Sequence, residues 1–278
     1  MRVAACQMVS STDLTANLAA AKQLLKQAAD AGAELAVLPE YFCLMGASDH
    51  DKLRIAEPYA TGAIQDFMGR CASQFKLWVV AGTVPLVSPE AGKVFNSTLA
   101  WNPEGQNAAR YDKIHLFKFD NGSEAYDESR SISPGKVPVA FDLPSRDGHT
   151  WRVGLSICYD LRFPELYRAL RADILLVPSA FTHTTGSAHW ELLLRARAIE
   201  NLAYVLASAQ GGVHDNQRRT WGQSMLVDPW GSIQAQRASG QGLVVADIEM
   251  SALSARRLQL PALEHVVLTP DALRHAAT

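Results

Sequence analysis

The chain has 278 residues, 48% hydrophobic and 19% charged, a balance typical of a folded globular protein with length for one large domain or two small ones. A formal net charge of −2 and the lack of a basic tail leave no electrostatic footprint for a nucleic-acid partner. Cys6, Cys43, Cys71 and Cys158 are widely spaced and form no CxxC pair, which argues against a zinc site or a disulfide framework.

Val3-Ala4-Ala5-Cys6 looks like a lipoprotein cleavage site, but the apolar stretch before it falls far short of the roughly 7–15 residues of a signal peptide. No run approaches the roughly 18 apolar residues of a membrane span. These features predict a cytoplasmic protein with reduced thiols and no membrane partner.

Residues 3–8 read as a first strand. Ser11, Thr12 and Asp13 then offer caps to a helix in which Leu14, Leu18, Ala21, Leu25 and Ala28 recur at helical spacing, and Gly32 ends it. Residues 35–38 form a second short apolar strand that delivers Pro39-Glu40 at its end. A carboxylate there reads most simply as a solvated loop charge, yet Leu38, Tyr41 and Phe42 give it an apolar setting suited to a general acid or base. Residues 61–74 predict a second helix and 77–81 a third buried strand. Residues 94–101 and 108–111 are strands joined by the turn Asn102-Pro103-Glu104-Gly105. Lys113 follows among hydrophobic neighbours, where its simplest reading is a snorkelling surface lysine. Residues 119–138 are expected to form a long loop carrying Glu124, Asp127 and Glu128. Arg146-Asp147-Gly148 marks a hairpin tip within 141–151.

The second half repeats this order. A strand at 153–157 leads through Cys158 to a helix at 164–171 opened by Pro164, and a strand follows at 174–177. A longer helix is predicted at 187–202, then strands at 203–207, 223–227 and 243–248, with Asp228-Pro229-Trp230-Gly231-Ser232 as a hairpin turn. Two such sheets bury themselves economically face to face with helices outside. Residues 261–278 show little periodicity and are expected to form a tail reaching toward a partner subunit.

Cys158 thus sits at a strand-to-helix junction, where ligands bind in open α/β sheets and helix dipoles favour a thiolate. The plain alternative is a small buried core cysteine. A cysteine that attacks an amide needs a base for its proton and a positive group for the oxyanion. Glu40 and Lys113 offer these, while His115, His183 and His189 keep a Cys–His dyad open on spacing alone.

Leu38-Pro39-Glu40, Tyr111-Asp112-Lys113-Ile114-His115-Leu116 and Ile157-Cys158-Tyr159-Asp160-Leu161-Arg162-Phe163-Pro164-Glu165 resemble, in order, the three signature blocks of the nitrilase superfamily of carbon–nitrogen hydrolases. The resemblance runs along nearly the whole chain and implies a single domain over 1–278. It implies an α/β fold, a four-layer α-β-β-α sandwich, and a homodimer or larger homo-oligomer. It also implies a Glu40-Lys113-Cys158 triad that uses no metal and no cofactor. The family's second glutamate falls on Glu128, and the Tyr159 backbone N–H would join Lys113 in an oxyanion hole.

Residues 188–200 resemble the long helix of the Nit branch, whose members cleave ω-amides of 2-oxo acids. Ala209-Gln210-Gly211-Gly212-Val213-His214 leans toward the deaminated glutathione amidases, which release 2-oxoglutarate and cysteinylglycine. An ω-amidase for 2-oxoglutaramate, a nitrilase, an N-carbamoyl amino acid hydrolase and a non-catalytic relative acting through a protein partner are the other readings. A substrate carboxylate needs a cation, and Arg162 is a candidate, beside the alternative of an ion pair with Asp160 or Glu165. Phe181, Thr184 and Thr185, expected in the loop before the long helix, are candidates to line the pocket. Lys118 stands where the family pattern leads one to expect an acid, and Asn121-Gly122-Ser123-Glu124 departs from the usual loop, which puts the leaving group in question.

Overall fold

Alternation along the first strand, β1 (Arg2–Gln7), decides the architecture. Val3 and Ala5 enter an apolar cluster with Leu155, Leu176 and Leu206 from the second half of the chain. Ala4 and Cys6 enter another with Leu24, Leu25, Met68 and Ala72 from helices of the first half. Because successive side chains point to opposite faces, a strand apolar on both must lie between two layers. The computed structural model describes residues 1–267.

The first half continues with α1 (Leu14–Asp30), β2 (Leu35–Val37), α2 (Asp51–Arg54), α3 (Ala63–Phe75), β3 (Trp78–Val87), β4 (Val94–Trp101) and β5 (Asn107–Asp112). A small hairpin pairs β6 (Lys118–Asp120) with β7 (Ala125–Asp127). Next come β8 (Ala140–Pro144), β9 (Thr150–Leu155), α4 (Pro164–Leu170), β10 (Ile174–Ser179), α5 (His183–Asn201) and β11 (Tyr204–Ala209). The described chain closes with β12 (Ser224–Val227), β13 (Ile233–Arg237), β14 (Gly242–Asp247) and α6 (Met250–Gln259).

Two six-stranded sheets result, ordered β14-β1-β2-β3-β4-β5 and β13-β12-β11-β10-β9-β8. In each, three parallel strands form the centre, β1-β2-β3 and β9-β10-β11, and antiparallel strands extend the edges. Polar bonds tie the sheets where they meet. The Ser208 hydroxyl donates to the Cys6 carbonyl at 2.6 Å, and Gln7 Oε1 accepts from the Ser224 N–H and hydroxyl at 3.0 and 2.8 Å. With α1 and α3 on one outer face and α4 and α5 on the other, this is the expected α-β-β-α sandwich.

Some elements differ from the sequence reading. The stretch expected as a long loop at 119–138 holds β7 and most of β6, with Phe119 opposite Tyr126 in the hairpin. Its turn is fastened by Asn121 Oδ1, which accepts from the N–H groups of Ser123 and Glu124. The long helix α5 begins at His183, four residues before its expected start, because Thr182 caps it by accepting from the Thr185 N–H. The hairpin turn at 228–232 is present, but its second strand β13 and the following helix α6 had no predicted counterpart. In α6 only Leu253 is buried, so the apolar stripe that announces a helix is missing. Of the expected tail, residues 262–265 form a turn beyond α6, residues 266–267 are irregular, and residues 268–278 lie outside the described residues.

Close approach of β3 to the end of β2 fixes the Pro39-Glu40 turn. A Cβ on Gly82 would stand 1.9 Å from the Pro39 carbonyl oxygen, a backbone atom that cannot swing aside. The β3–β4 register shifts between Ala81 and Val84, which frees Thr83 Oγ1 to accept from the Tyr41 N–H at 2.9 Å. Gly82→Ala should therefore displace this turn. We expect a loss of about 1–3 kcal/mol in urea unfolding, typical of overpacking, together with reduced activity. Wild-type values for both would show that the turn yields freely.

Candidate active site

The four polar residues singled out in the sequence converge where the parallel strands end. Glu40 follows β2, Lys113 follows β5, Glu128 opens a 3-10 turn after β7, and Cys158 follows β9. Glu40 and Lys113 are each only 1% exposed, which for charged groups demands full pairing.

That pairing is complete. Lys113 Nζ donates to Glu40 Oε1 at 2.9 Å and to a Glu128 carboxylate oxygen at 2.8 Å. Glu40 Oε1 also accepts from Asn96 Nδ2 at 2.9 Å, and Oε2 accepts from the Ala180 N–H at 2.9 Å. Glu128 accepts from the Tyr41 hydroxyl at 2.8 Å and the Phe117 N–H at 2.7 Å. Burial alone would pull the Lys113 ammonium down, but the Glu128 and Glu40 carboxylates hold it above its ordinary value. Burial pushes Glu128 up, yet Lys113 and the surrounding donors outweigh it and keep the carboxyl below its usual range.

Cys158 begins a 3-10 turn, Cys158–Arg162, in the left-handed region at φ 48. Such a conformation costs a non-glycine residue about 1–3 kcal/mol and survives only where surroundings over-determine it. The Asp160 carboxylate does much of this. It accepts from the Ile157 N–H at 2.9 Å, the Tyr111 hydroxyl at 2.7 Å and the His115 N–H at 3.1 Å, with His115 Nδ1 at 2.7 Å. One buried carboxylate thus fastens the cysteine turn to the segment that carries Lys113.

The expectation of a dipole-stabilised thiolate is not met. Burial, reinforced by the Glu40 carboxylate, raises the Cys158 thiol well above its ordinary value, with Lys113 opposing only in part. The turn is short and α4 starts only at Pro164, so little helix dipole reaches the sulfur. The histidines play no direct part at the thiol. His115 is held by Asp160 and stacks on Phe163, His183 packs edge-on to Trp221, and His189 meets Arg162.

The Tyr159 N–H, near the start of the turn, has no protein acceptor among the described residues, as expected of a first-turn donor. A cavity beside Cys158 is lined by Glu40, Glu128, Tyr159, Arg162, Phe181 and Thr185, among others. Arg162 forms no ion pair with Asp160 or Glu165, since Asp160 faces inward; both of its terminal nitrogens lie 3.3 Å from His189 Nδ1. Thr185 sits in the first turn of α5 rather than in a loop. Thr184, on the same turn, does not line the cavity; its hydroxyl donates to Glu124 at 3.2 Å.

Sequence reasoning did not single out Asn96, Asp160 or Arg218. Asn96 opens the polar triplet Asn96-Ser97-Thr98 within β4 and is 3% exposed, so nothing in the sequence sets it apart from its two polar neighbours. Arg218 lies in Asn216-Gln217-Arg218-Arg219, which reads as a solvated charged loop.

Residues 2–257 match the family model described as carbon-nitrogen hydrolase. The chain is 44% identical over 270 residues to a deaminated glutathione amidase of Synechocystis sp., covering 95% of this chain and 97% of the relative. The crystal structure of the C. elegans NitFhit protein superposes with a TM-score of 0.86 at 37% identity, covering 96% of this chain and 65% of that longer one. An amidase from Nesterenkonia sp. AN1, with acrylamide added at its active site cysteine, superposes with a TM-score of 0.77 at 25% identity, covering 94% of this chain and 98% of that one. By sequence and by fold, the chain belongs to the carbon–nitrogen hydrolase family.

Proposed function

We propose that the chain is a cysteine-dependent amidase that hydrolyses deaminated glutathione to 2-oxoglutarate and cysteinylglycine. The observation that carries the reading is the buried cluster of Glu40, Lys113 and Glu128 facing the Cys158 thiol. The similarity to deaminated glutathione amidases over 95% of the chain supports the substrate.

A thiol raised this far needs its proton taken during attack, and Glu40 is the base beside it. As the proton moves to Glu40, sulfur bonds the amide carbon and the carbonyl electron pair moves onto oxygen. The Lys113 ammonium and the Tyr159 N–H hold that oxyanion, each such donor being worth about 3–4 kcal/mol. Collapse breaks the C–N bond and Glu40 returns its proton to the departing amine. Water, deprotonated by Glu40, then attacks the thioester; 2-oxoglutarate leaves and the thiol recovers its proton. Glu128 takes no proton in this scheme and keeps Lys113 aimed. The scheme draws on no metal or organic cofactor.

Arg162 lies over the rings of Tyr159 and Phe181, 5.7 Å from each centroid, and with no carboxylate on it among the described residues its guanidinium can meet the 2-oxo acid carboxylate. Four free cysteines suit a reducing cytoplasm. Exposed Leu192 and Ile199 on α5 and Leu258 on α6 support assembly into a homo-oligomer.

Purified wild type should release 2-oxoglutarate from deaminated glutathione faster than from 2-oxoglutaramate. Cys158→Ala should abolish release while leaving the circular dichroism spectrum and melting temperature near wild type. A preference for 2-oxoglutaramate would make the protein an ω-amidase, and turnover by the mutant would sink the thioester route.

Thiol ionisation gives a second check. The pH midpoint of Cys158 alkylation by iodoacetamide, followed by peptide mass, should lie above the ordinary thiol value of about 8.5. Glu40→Gln removes a neighbouring anion and should lower the midpoint, whereas Lys113→Met removes a cation and should raise it. A midpoint at or below the ordinary value would contradict the assigned electrostatics.

A further inference from the structure

Beyond Glu128 and Phe117 lies a second cavity of about 60 Å³, lined by Tyr41, Lys52, Tyr126 and Arg218 among others. Arg218, Phe117 and Glu128 line both this cavity and the one beside Cys158, so the two are continuous neighbours. The Arg218 guanidinium lies over Tyr126 and Tyr41, at 5.2 and 5.9 Å from their ring centroids. Its Nε is buried without a hydrogen-bond partner, and among the described residues its side chain has no carboxylate. Lys52 stands over Tyr41 at 5.7 Å, and its ammonium donates to the Ser131 hydroxyl at 3.2 Å.

The acids on the same wall are engaged or outside. Glu128 is held by Lys113, Tyr41 and Phe117, and Asp127 by Ser129 and Lys118. Asp49 stands exposed at the rim. Two cations therefore face the cavity with no ion pair to a carboxylate among the described residues, although Glu128 and Asp49 lie near enough to act on the Lys52 ammonium. Desolvated donors left unpaired are costly, and a ligand that brings acceptors removes the cost. Guanidinium and ammonium together suit a carboxylate.

We propose that Arg218, supported by Lys52, forms a second carboxylate subsite that receives the terminal carboxylate of the leaving peptide. The proposal rests on the amidase reading above. Arg162 shares the cavity of the nucleophile and takes the 2-oxo acid end, the shorter arm of the substrate measured from the scissile carbon. The cysteinylglycine arm is longer and extends past Glu128 to the neighbouring cavity. Selectivity for a peptide leaving group over ammonia is then set at Arg218, away from the reacting atoms.

The test pairs a change in the enzyme with a change in the substrate. Wild type, Arg218→Gln and Lys52→Gln are each assayed with deaminated glutathione, with the same compound ending in a carboxamide, and with 2-oxoglutaramate. Wild type should favour the carboxylate over the carboxamide by about 10–100-fold in kcat/KM, the range of a charged hydrogen bond, expressed mainly in KM. In Arg218→Gln that preference should shrink to within about threefold, and Lys52→Gln should lose part of it. Deaminated glutathione should lose its advantage over 2-oxoglutaramate in parallel. Equal losses on carboxylate and carboxamide would mark Arg218 as structural and overturn the subsite while leaving the amidase reading intact. A wild type that turns over carboxylate and carboxamide equally well would overturn the subsite in the same way. Failure of wild type on all three substrates would remove the amidase reading and the subsite with it.

Discussion

A buried ammonium held between two carboxylates is the constraint on which the site depends. Lys113, Glu40 and Glu128 together carry one net negative charge in a region shielded from water. A thiolate beside them would add a second, which is why the Cys158 thiol stays protonated at rest. In the proposed reaction, passing the proton from sulfur to Glu40 keeps the total unchanged. New negative charge then appears only on the carbonyl oxygen of the substrate, which the same proposal sets against the Lys113 ammonium. The electrostatics that make the thiol inert alone are the same ones that make it useful with a substrate in place.

Holding this cluster together requires both sheets. Glu40, Asn96 and Lys113 come from the first, whereas Cys158 and the Ala180 N–H that fixes Glu40 come from the second. The Asp160 carboxylate crosses the same boundary to Tyr111 and His115. Its contacts offset the strain of placing Cys158 at positive φ, so that the sulfur is presented by over-determined backbone rather than by a mobile loop.

Glu40 and Cys158 were legible in the sequence because each ends an apolar run, a signal that by itself left plainer readings open. Lys113 follows the mixed strand Asn107–Asp112 and was settled in the site only through the resemblance of the signature blocks. The doubled order of strands and helices gave the two sheets. Glu128 was reachable only through resemblance, since its own segment reads as loop. Arg218 and Lys52 carry no local signal, because what distinguishes them is a neighbour far away in the chain. The early start of α5 escaped because Thr184, Thr185 and Gly186 are weak helix formers, and a single cap at Thr182 overrides them.

The pairing of β14 with β1 joins Arg2 to Asp247 across almost the whole described chain. During synthesis β1 leaves the ribosome well before β14, so one of its edges waits for a partner 245 residues further along. Such an open edge invites mispairing with other chains, and a topology rich in distant contacts folds slowly. The first sheet, and with it Glu40 and Lys113, can be sealed only once β14 has emerged. The nascent protein therefore needs protection of that edge until β14 is made.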